Sequence, residues 1–420
     1  MRITLLNVLF ACLFYVSATA QERHYQLKAD RVFDGQDFHK GWVVEVKGNE
    51  IVYAGPDRKG RFDEVIELKG HTLMPGLIEG HSHILLHPYN ETGWNDQVLK
   101  ESVAERSARA VNHLRASLMA GVTTMRDLGS EGAGYADVGI KQAVEKGVIP
   151  GPRLLVAGKA IVTTGSYGPK GFHEGVRVPL GAEPADGHDD LIRVTRDQIG
   201  HGADFIKVYA DYRWSPDRKA APTFTVAELK TIVEIAESSG RYVVAHAGSA
   251  EGMRRAIEAG VETIEHGDGG TREVFELMKR EGVALCPTVA AGDAISQYTG
   301  WNKGVDPDPE RIKQKKASVA LALEVGVEMV FGGDVGVFSH GDNVIELELM
   351  VEYGQDVMSA LRMATARNAA QFHLDRLGNL KAGFLADIIA VKGDPSKDIS
   401  NLRKVVFVMK DGVVYKNETK

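Results

Sequence analysis

Two histidines spaced by one residue, His81 and His83, close the stretch Thr72-Leu73-Met74-Pro75-Gly76-Leu77-Ile78-Glu79-Gly80. In an extended strand, side chains i and i+2 project to the same face, so both imidazoles can aim at one point, as two ligands of one metal must. Four more groups able to hold a metal or move a proton stand at or near the ends of later apolar runs. These are Lys207 in Phe205-Ile206-Lys207-Val208-Tyr209-Ala210, His246 in Val243-Val244-Ala245-His246-Ala247, His266 in Thr263-Ile264-Glu265-His266-Gly267, and Asp334 in Val330-Phe331-Gly332-Gly333-Asp334-Val335. Each alone has a plainer reading, as a hydrogen-bonded core histidine, an ion-paired lysine or a helix-capping aspartate. Together, and in this order, they read as one site. Imidazoles and a carboxylate are good ligands for zinc and similar divalent ions. A lysine ammonium has no lone pair to give. Burial lowers its pKa, however, and the neutral amine can add carbon dioxide to become an anionic carbamate able to bridge two metals. The plainer reading of Lys207 pairs it with Asp334 or Glu265, or gives it a role at a single-metal site.

Such groups converge only if the strands that carry them lie side by side and point the same way. The middle of the chain alternates short apolar strands with amphipathic helical stretches about eight times, the pattern of parallel β/α units. After the strand that ends in His81, strands are expected at 123–128, 153–157, 205–210, 242–247, 263–266, 284–288 and 329–334. Helices are expected at 101–119, 189–200, 225–239, 251–259, 271–280, 310–325 and 343–353. Eight units predict an α/β fold built on a (β/α)₈ TIM barrel over residues 75–375, whose chemistry sits at the C-terminal ends of its strands. A doubly wound open sheet is the alternative, but no Gly-x-Gly-x-x-Gly follows the first strand of this region. Both flanks are strand-rich, with alternating runs from Tyr25 to Leu68 and again from Ala386 to Tyr415. They predict one discontinuous small β-sandwich domain built from both chain ends, residues 21–74 and 376–420.

The chain has 420 residues, 44% hydrophobic and 25% charged, with a net charge of −7 and no basic stripe. That balance suits a globular enzyme and argues against a nucleic-acid partner. Residues 1–20 read as a secretory signal peptide. Arg2 precedes an apolar core from Leu5 to Val16, and Ser17-Ala18-Thr19-Ala20 offers an Ala-x-Ala cleavage site. The apolar core is too short to span a bilayer stably, so no membrane span is expected after cleavage. Cys12 lies within that core, which leaves Cys286 alone in the mature chain and excludes an intramolecular disulfide. Export, most simply to a bacterial periplasm, is the expectation; homo-oligomerisation is left open.

The order His-x-His, Lys, His, His, Asp resembles the amidohydrolase superfamily, closest to its imidazolonepropionase-like and dipeptidase-like branch. The resemblance extends through Leu73 to His83, His340-Gly341-Asp342-Asn343-Val344-Ile345-Glu346-Leu347, Ala364-Thr365-Ala366-Arg367-Asn368-Ala369-Ala370 and Leu380-Lys381-Ala382-Gly383-Phe384-Leu385-Ala386-Asp387-Ile388. It implies that His81 and His83 bind the more buried of two divalent ions, most simply Zn²⁺, together with Asp334. A carbamate formed on Lys207 from CO₂ would bridge to a second ion held by His246 and His266. A hydroxide shared by the two ions would attack a polarised carbonyl, with Asp334 as general base and then acid. The implied activity is cleavage of an amide-type C–N bond in a small-molecule substrate, a dipeptide or N-acyl amino acid. A deaminase or lactonase using the same metal site, or a non-catalytic metal- or ligand-binding protein, is the alternative.

Specificity is expected in the loops that follow the strands. Many dipeptidase-like relatives carry Gly-Gly-His-Gly in the loop after the third strand, and Tyr167 stands here near the place of that histidine. Tyr212 and Arg213, after the fourth strand, could meet a substrate carboxylate or pack as a surface lid. His340 either lines the mouth or orients a loop. Asp127 ends the second strand near the mouth, where a structural role linked to Arg126 is the plainer reading.

Overall fold

A computed structural model describes residues 23–419, and the leader read at residues 1–20 lies outside them. Parallel strands dominate the middle of the chain, in two sheets. In the first, Leu77–Ser82, Val122–Asp127 and Arg153–Val156 pair in sequence order. In the second, Ile161–Val162 and its neighbour Glu183–Pro184 are followed by Ile206–Tyr209, Val243–Ser249, Thr263–Gly269 and Ala284–Cys286. The two are linked where the Asp204 amide donates to the Val156 carbonyl at 2.8 Å.

The expected eighth strand at 329–334 is not a regular one. It is tied by isolated parallel bridges, Leu285 to Met329 on one side and Ser82 to Val335 on the other. The physical reason lies in its sequence. Gly332 presses so closely on the first strand that a Cβ would stand 2.7 Å from the His81 amide nitrogen. Asp334 then turns into the left-handed region, with φ of 62°, which interrupts a regular ladder and leaves only the single bridge at Val335.

Helices cover these sheets because their apolar residues recur on one face. Val226–Glu237 buries Leu229, Ile232, Val233 and Ala236, the i, i+3, i+4, i+7 stripe of a packed helix. It starts at a capping box in which Thr225 and Glu228 satisfy each other's backbone amides. Val103–Met119, Gly187–His201, Ala250–Ala259, Arg272–Glu281, Glu310–Val325 and Val344–Glu352 fall where the periodicity placed helices. Ala136–Glu145 and Val289–Tyr298 were not anticipated. The second is short and rich in alanine and small polar residues, so its sequence carries little periodic contrast. Among the described residues no helix is long and apolar enough to cross a membrane.

Both chain ends meet in one eight-stranded sheet. Glu64–Pro75 pairs in parallel with His24–Phe33 and antiparallel with Ile388–Lys392, which joins the N-terminal strands to the C-terminal ones. Leu27, Ile66 and Leu73 share a buried core with Ile388 and Phe407. Gly76 alone separates Glu64–Pro75 from Leu77–Ser82, and any side chain there would collide with Thr123. The sheet of the chain ends therefore fixes the start of the strand that carries His81.

Candidate metal centre

A cavity of about 290 Å³ opens beside the C-terminal ends of the parallel strands, and His81, His83, His246, His266 and Asp334 all line it. Asp334 Oδ1 lies 3.6 Å from His81 Nε2 and 3.4 Å from His83 Nε2. The His81 and His266 rings are 5.2 Å apart, and those of His266 and His246 4.5 Å. Ligand-capable atoms of His81, His266 and Asp334 lie within 4.8 Å of one another. Lys207 does not line the cavity. It is 1% exposed, its ammonium 5.6 Å from the Tyr209 ring, and it forms no ion pair among the described residues. The pairing with Asp334 or Glu265 considered for it is therefore not seen.

The electrostatics prepare these groups as donors. Burial, reinforced by Lys207, pushes the His246 imidazole down to about 3 and His81 well below its ordinary value. Burial and the neighbouring His246 do the same to His266. Neutral imidazoles keep a lone pair for a metal. Burial also lowers Lys207 from its ordinary value, against the pull of Glu265 and Asp334. Close-set neutral imidazoles, a carboxylate and an uncompensated buried lysine fit a site for divalent cations. A second cluster, His81 with Glu265 and Cys286, also has close-set atoms. It is less suited to an ion, because Glu265 already accepts the His81 Nδ1 proton and burial pushes the Cys286 thiol up, away from thiolate.

Hydrogen bonds hold three of the four imidazoles in place. His81 Nδ1 donates to Glu265 Oε2 at 2.7 Å, and Glu265 Oε1 accepts from the Thr263 hydroxyl at 2.5 Å and from Arg126 at 3.3 Å. His83 Nδ1 donates to the Gly129 carbonyl at 3.0 Å, which leaves Nε2 facing Asp334. His266 Nδ1 bonds the Thr288 hydroxyl at 2.7 Å, and the Lys315 ammonium holds the His266 carbonyl at 3.0 Å. Glu79 ties the first strand to the last by accepting from the amides of His81 and Gly333 and from Asn343. Among the described residues, four of the seven non-glycine residues with left-handed φ, Glu131, His266, Thr288 and Asp334, line this cavity. Each such conformation costs about 1–3 kcal/mol, a strain that tends to collect at functional sites.

Tyr167, Tyr212 and Arg213 line the same cavity. His340 does not. It stacks on His113 with ring centroids 4.3 Å apart and donates from Nε2 to the Leu86 carbonyl at 3.1 Å, so it braces a loop and gives no surface to the cavity. Asp127 accepts from the Ile84 amide at 2.7 Å and is fully buried away from the cavity, a structural position. The sequence reading missed Glu131 and Glu265. Glu131 follows the second strand, where a carboxylate at a strand end was a usable signal. Glu265 precedes a ligand candidate, and its bond to His81 is visible only once the strands are side by side.

Residues 72–416 match the Amidohydrolase family. The ochratoxinase of Aspergillus niger is 31% identical over 375 residues, covering 82% of this chain and 75% of that one. The crystal structure of a Xaa-Pro dipeptidase with bound methionine superimposes with a TM-score of 0.82 at 31% identity, over 94% of this chain and 100% of its own. A prolidase complexed with N-methylphosphonate-L-proline gives a TM-score of 0.81 at 27% identity, with the same coverage. With that match across the parallel strands and the terminal sheet, the chain belongs to the amidohydrolase family and is a hydrolase acting on carbon–nitrogen bonds.

Proposed function

We propose that this hydrolase cleaves the amide bond of a dipeptide or N-acyl amino acid, with two divalent ions, most simply zinc, in the cavity. The observation that carries the reading is the convergence of His81, His83, His246, His266 and Asp334 on one cavity with the unpaired Lys207 behind it. The likeness to a Xaa-Pro dipeptidase, a prolidase and an ochratoxinase supports an amide substrate. In this proposal His81, His83 and Asp334 would hold one ion and His246 and His266 the other, and Lys207, as a carbamate formed from CO₂, would supply a further anionic oxygen ligand. Bound there, such ions supply Lewis acidity that polarises a carbonyl and acidifies water.

The chain's own residues do the rest. Asp334, whose carboxyl burial pushes up from its ordinary range, takes a proton from the attacking water on its carboxylate and delivers it to the leaving nitrogen. Tyr167 and Tyr212 wall the site with ring surface and exclude bulk water. The Arg213 guanidinium meets a substrate carboxylate. A cavity of about 290 Å³ suits a small substrate, near the lower bound of roughly 300 Å³ for ligand sites.

The same proposal closes the parallel strands into one (β/α)₈ barrel over residues 75–375. The pairing of the 329–335 segment with both Leu285 and Ser82 supports this. It also folds the sheet of residues 21–74 and 376–420 into a sandwich, supported by the core that Leu27 and Leu73 share with Phe407. Residues 1–20 would direct export to the periplasm. Asp334→Asn tests the chemistry: turnover of a dipeptide panel is expected to fall by at least a hundredfold while bound metal persists. Near-normal turnover would refute the role of Asp334.

A further inference from the structure

We propose that Glu131 is an ammonium subsite, so that the acyl half of the substrate is an amino-acid residue with a free, charged amino group. This deepens the amide-hydrolase reading above and rests on it. Glu131 sits in the loop Gly129-Ser130-Glu131-Gly132 after the second strand, in a left-handed conformation with φ of 48°. The buried Arg106 guanidinium fixes that turn by donating to the backbone carbonyls of Leu85, Ser130 and Glu131. Arg106 is thereby spent on the backbone. No lysine or arginine lies within ion-pair distance of the Glu131 carboxylate among the described residues, although Glu131 is only 2% exposed.

The two carboxylate oxygens are unequal. Oε2 is occupied, accepting from Trp94 Nε1 and from the Tyr167 hydroxyl, each at 2.8 Å. Oε1 has one long bond, from the Tyr209 hydroxyl at 3.4 Å, and lies 3.9 Å from His83 Nδ1, whose proton goes to Gly129. Oε1 therefore keeps acceptor capacity in the wall of the cavity, next to a candidate metal ligand. A buried carboxylate without a cation is unfavourable, and a substrate ammonium supplies what the chain does not. Tyr167, Tyr209 and Tyr212 cluster around this point with ring centroids 4.6–6.2 Å apart, and ring faces attract a cation.

An α-amino group is the cation that an aminoacyl substrate can bring closest to its own carbonyl. Asp334 and Glu131 Oε1 flank opposite ends of the His83 ring, at Nε2 and Nδ1. In an aminoacyl group the amino nitrogen and the carbonyl carbon are two bonds, about 2.5 Å, apart. Both carboxylates border the one His83 imidazole, and in this proposal the substrate carbonyl lies on the Asp334 side and its ammonium on the Glu131 side. An N-acyl amino acid has only an alkyl group to put there.

The test compares alanyl-proline with isobutyryl-proline, in which a methyl replaces the ammonium at constant shape, on the metal-loaded full chain. The wild-type kcat/KM is expected to favour alanyl-proline by about 10–100-fold. In Glu131→Gln the amide oxygen can still accept from Trp94 and Tyr167, while the amide NH₂ stands where Oε1 was. The ratio is expected to collapse to about one or below. An equal loss on both substrates would make Glu131 a structural pin and overturn the proposal. So would a wild-type ratio of one or less, which decides the matter even if the variant does not fold. If neither amide is hydrolysed, the amide reading fails, and calorimetric binding of the same pair decides this one. Tighter binding of alanyl-proline that Glu131→Gln abolishes supports the subsite, and equal binding overturns it.

Discussion

Glu265→Gln is expected to loosen the metal and the fold by separable amounts. Glu265 is fully buried and gives Oε2 to His81 Nδ1 at 2.7 Å, and Oε1 to Thr263 and Arg126. The bond to Nδ1 fixes the tautomer that leaves His81 Nε2 free, and the carboxylate charge makes that imidazole a stronger donor. Losing such a partner typically weakens metal affinity by about 10–100-fold, or about 1.4–2.7 kcal/mol. Arg126, also fully buried, loses the counter-charge at 3.3 Å. Breaking a buried pair costs about 3–5 kcal/mol, and because glutamine still accepts a bond, the lower end applies. With an unfolding entropy of about 2.1 cal/mol/K per residue over roughly 400 residues, 3 kcal/mol lowers Tm by about 4 °C.

Chelator competition reads the first effect, and thermal melts of the metal-free protein read the second. Thr263→Val is the control, because it removes the hydroxyl at Oε1 and leaves the charge and the His81 bond in place. It should lower Tm and hold metal affinity near wild type. If Glu265→Gln bound metal as tightly as wild type, or Thr263→Val weakened it equally, the reasoning about His81 would be wrong.

Gly332→Ala places a Cβ 2.6 Å from Cys286 Sγ and 2.7 Å from the His81 amide, which Glu79 holds in place. We expect about 1–3 kcal/mol of destabilisation and reduced metal per chain, and a variant with normal melting and metal content would show that the close approach is not needed. Burial pushes the Asp387 carboxyl up to about 6, against the pull of Arg153. A folded pKa above the unfolded value of about 3.9 means that the stability from the protonated form is complete below pH ~4 and is lost as pH rises through about 6. Asp387→Asn, the neutral isostere, should therefore melt with a flatter pH dependence between pH 4 and 7, by up to about 3 kcal/mol. Parallel curves for the two proteins would refute it.

Much of this arrangement could be read from one dimension because strand ends carry local signals. His81, His83, His246, His266 and Asp334 each terminate an apolar run, and parallel β/α order is enough to bring such positions to one face. Tyr167, Tyr212 and Arg213 reached the cavity for the same reason, since loops after strands must border it. His340 shares their polarity and lies in a family-like motif, but stacking on His113 and a bond to the Leu86 carbonyl turn it away, and neither partner is near it in sequence. Glu265 contacts His81 on another strand, which no local pattern encodes; Glu131 has a legible place just past the second strand, but its contacts to Trp94 and Tyr167 are not local. The last strand was misread in its regularity because Gly332 and Gly333 look like an ordinary apolar run until the first strand is packed against them.

The account stands or falls on the metal centre, and elemental analysis of the purified full chain beside its His83→Asn variant tests it most directly, with amide hydrolysis followed on the same samples. The account predicts about two divalent ions per wild-type chain, fewer in His83→Asn with a matching loss of rate, and loss of rate on chelation that added metal restores. Full metal content and rate in His83→Asn, or hydrolysis that survives complete metal removal, would contradict it.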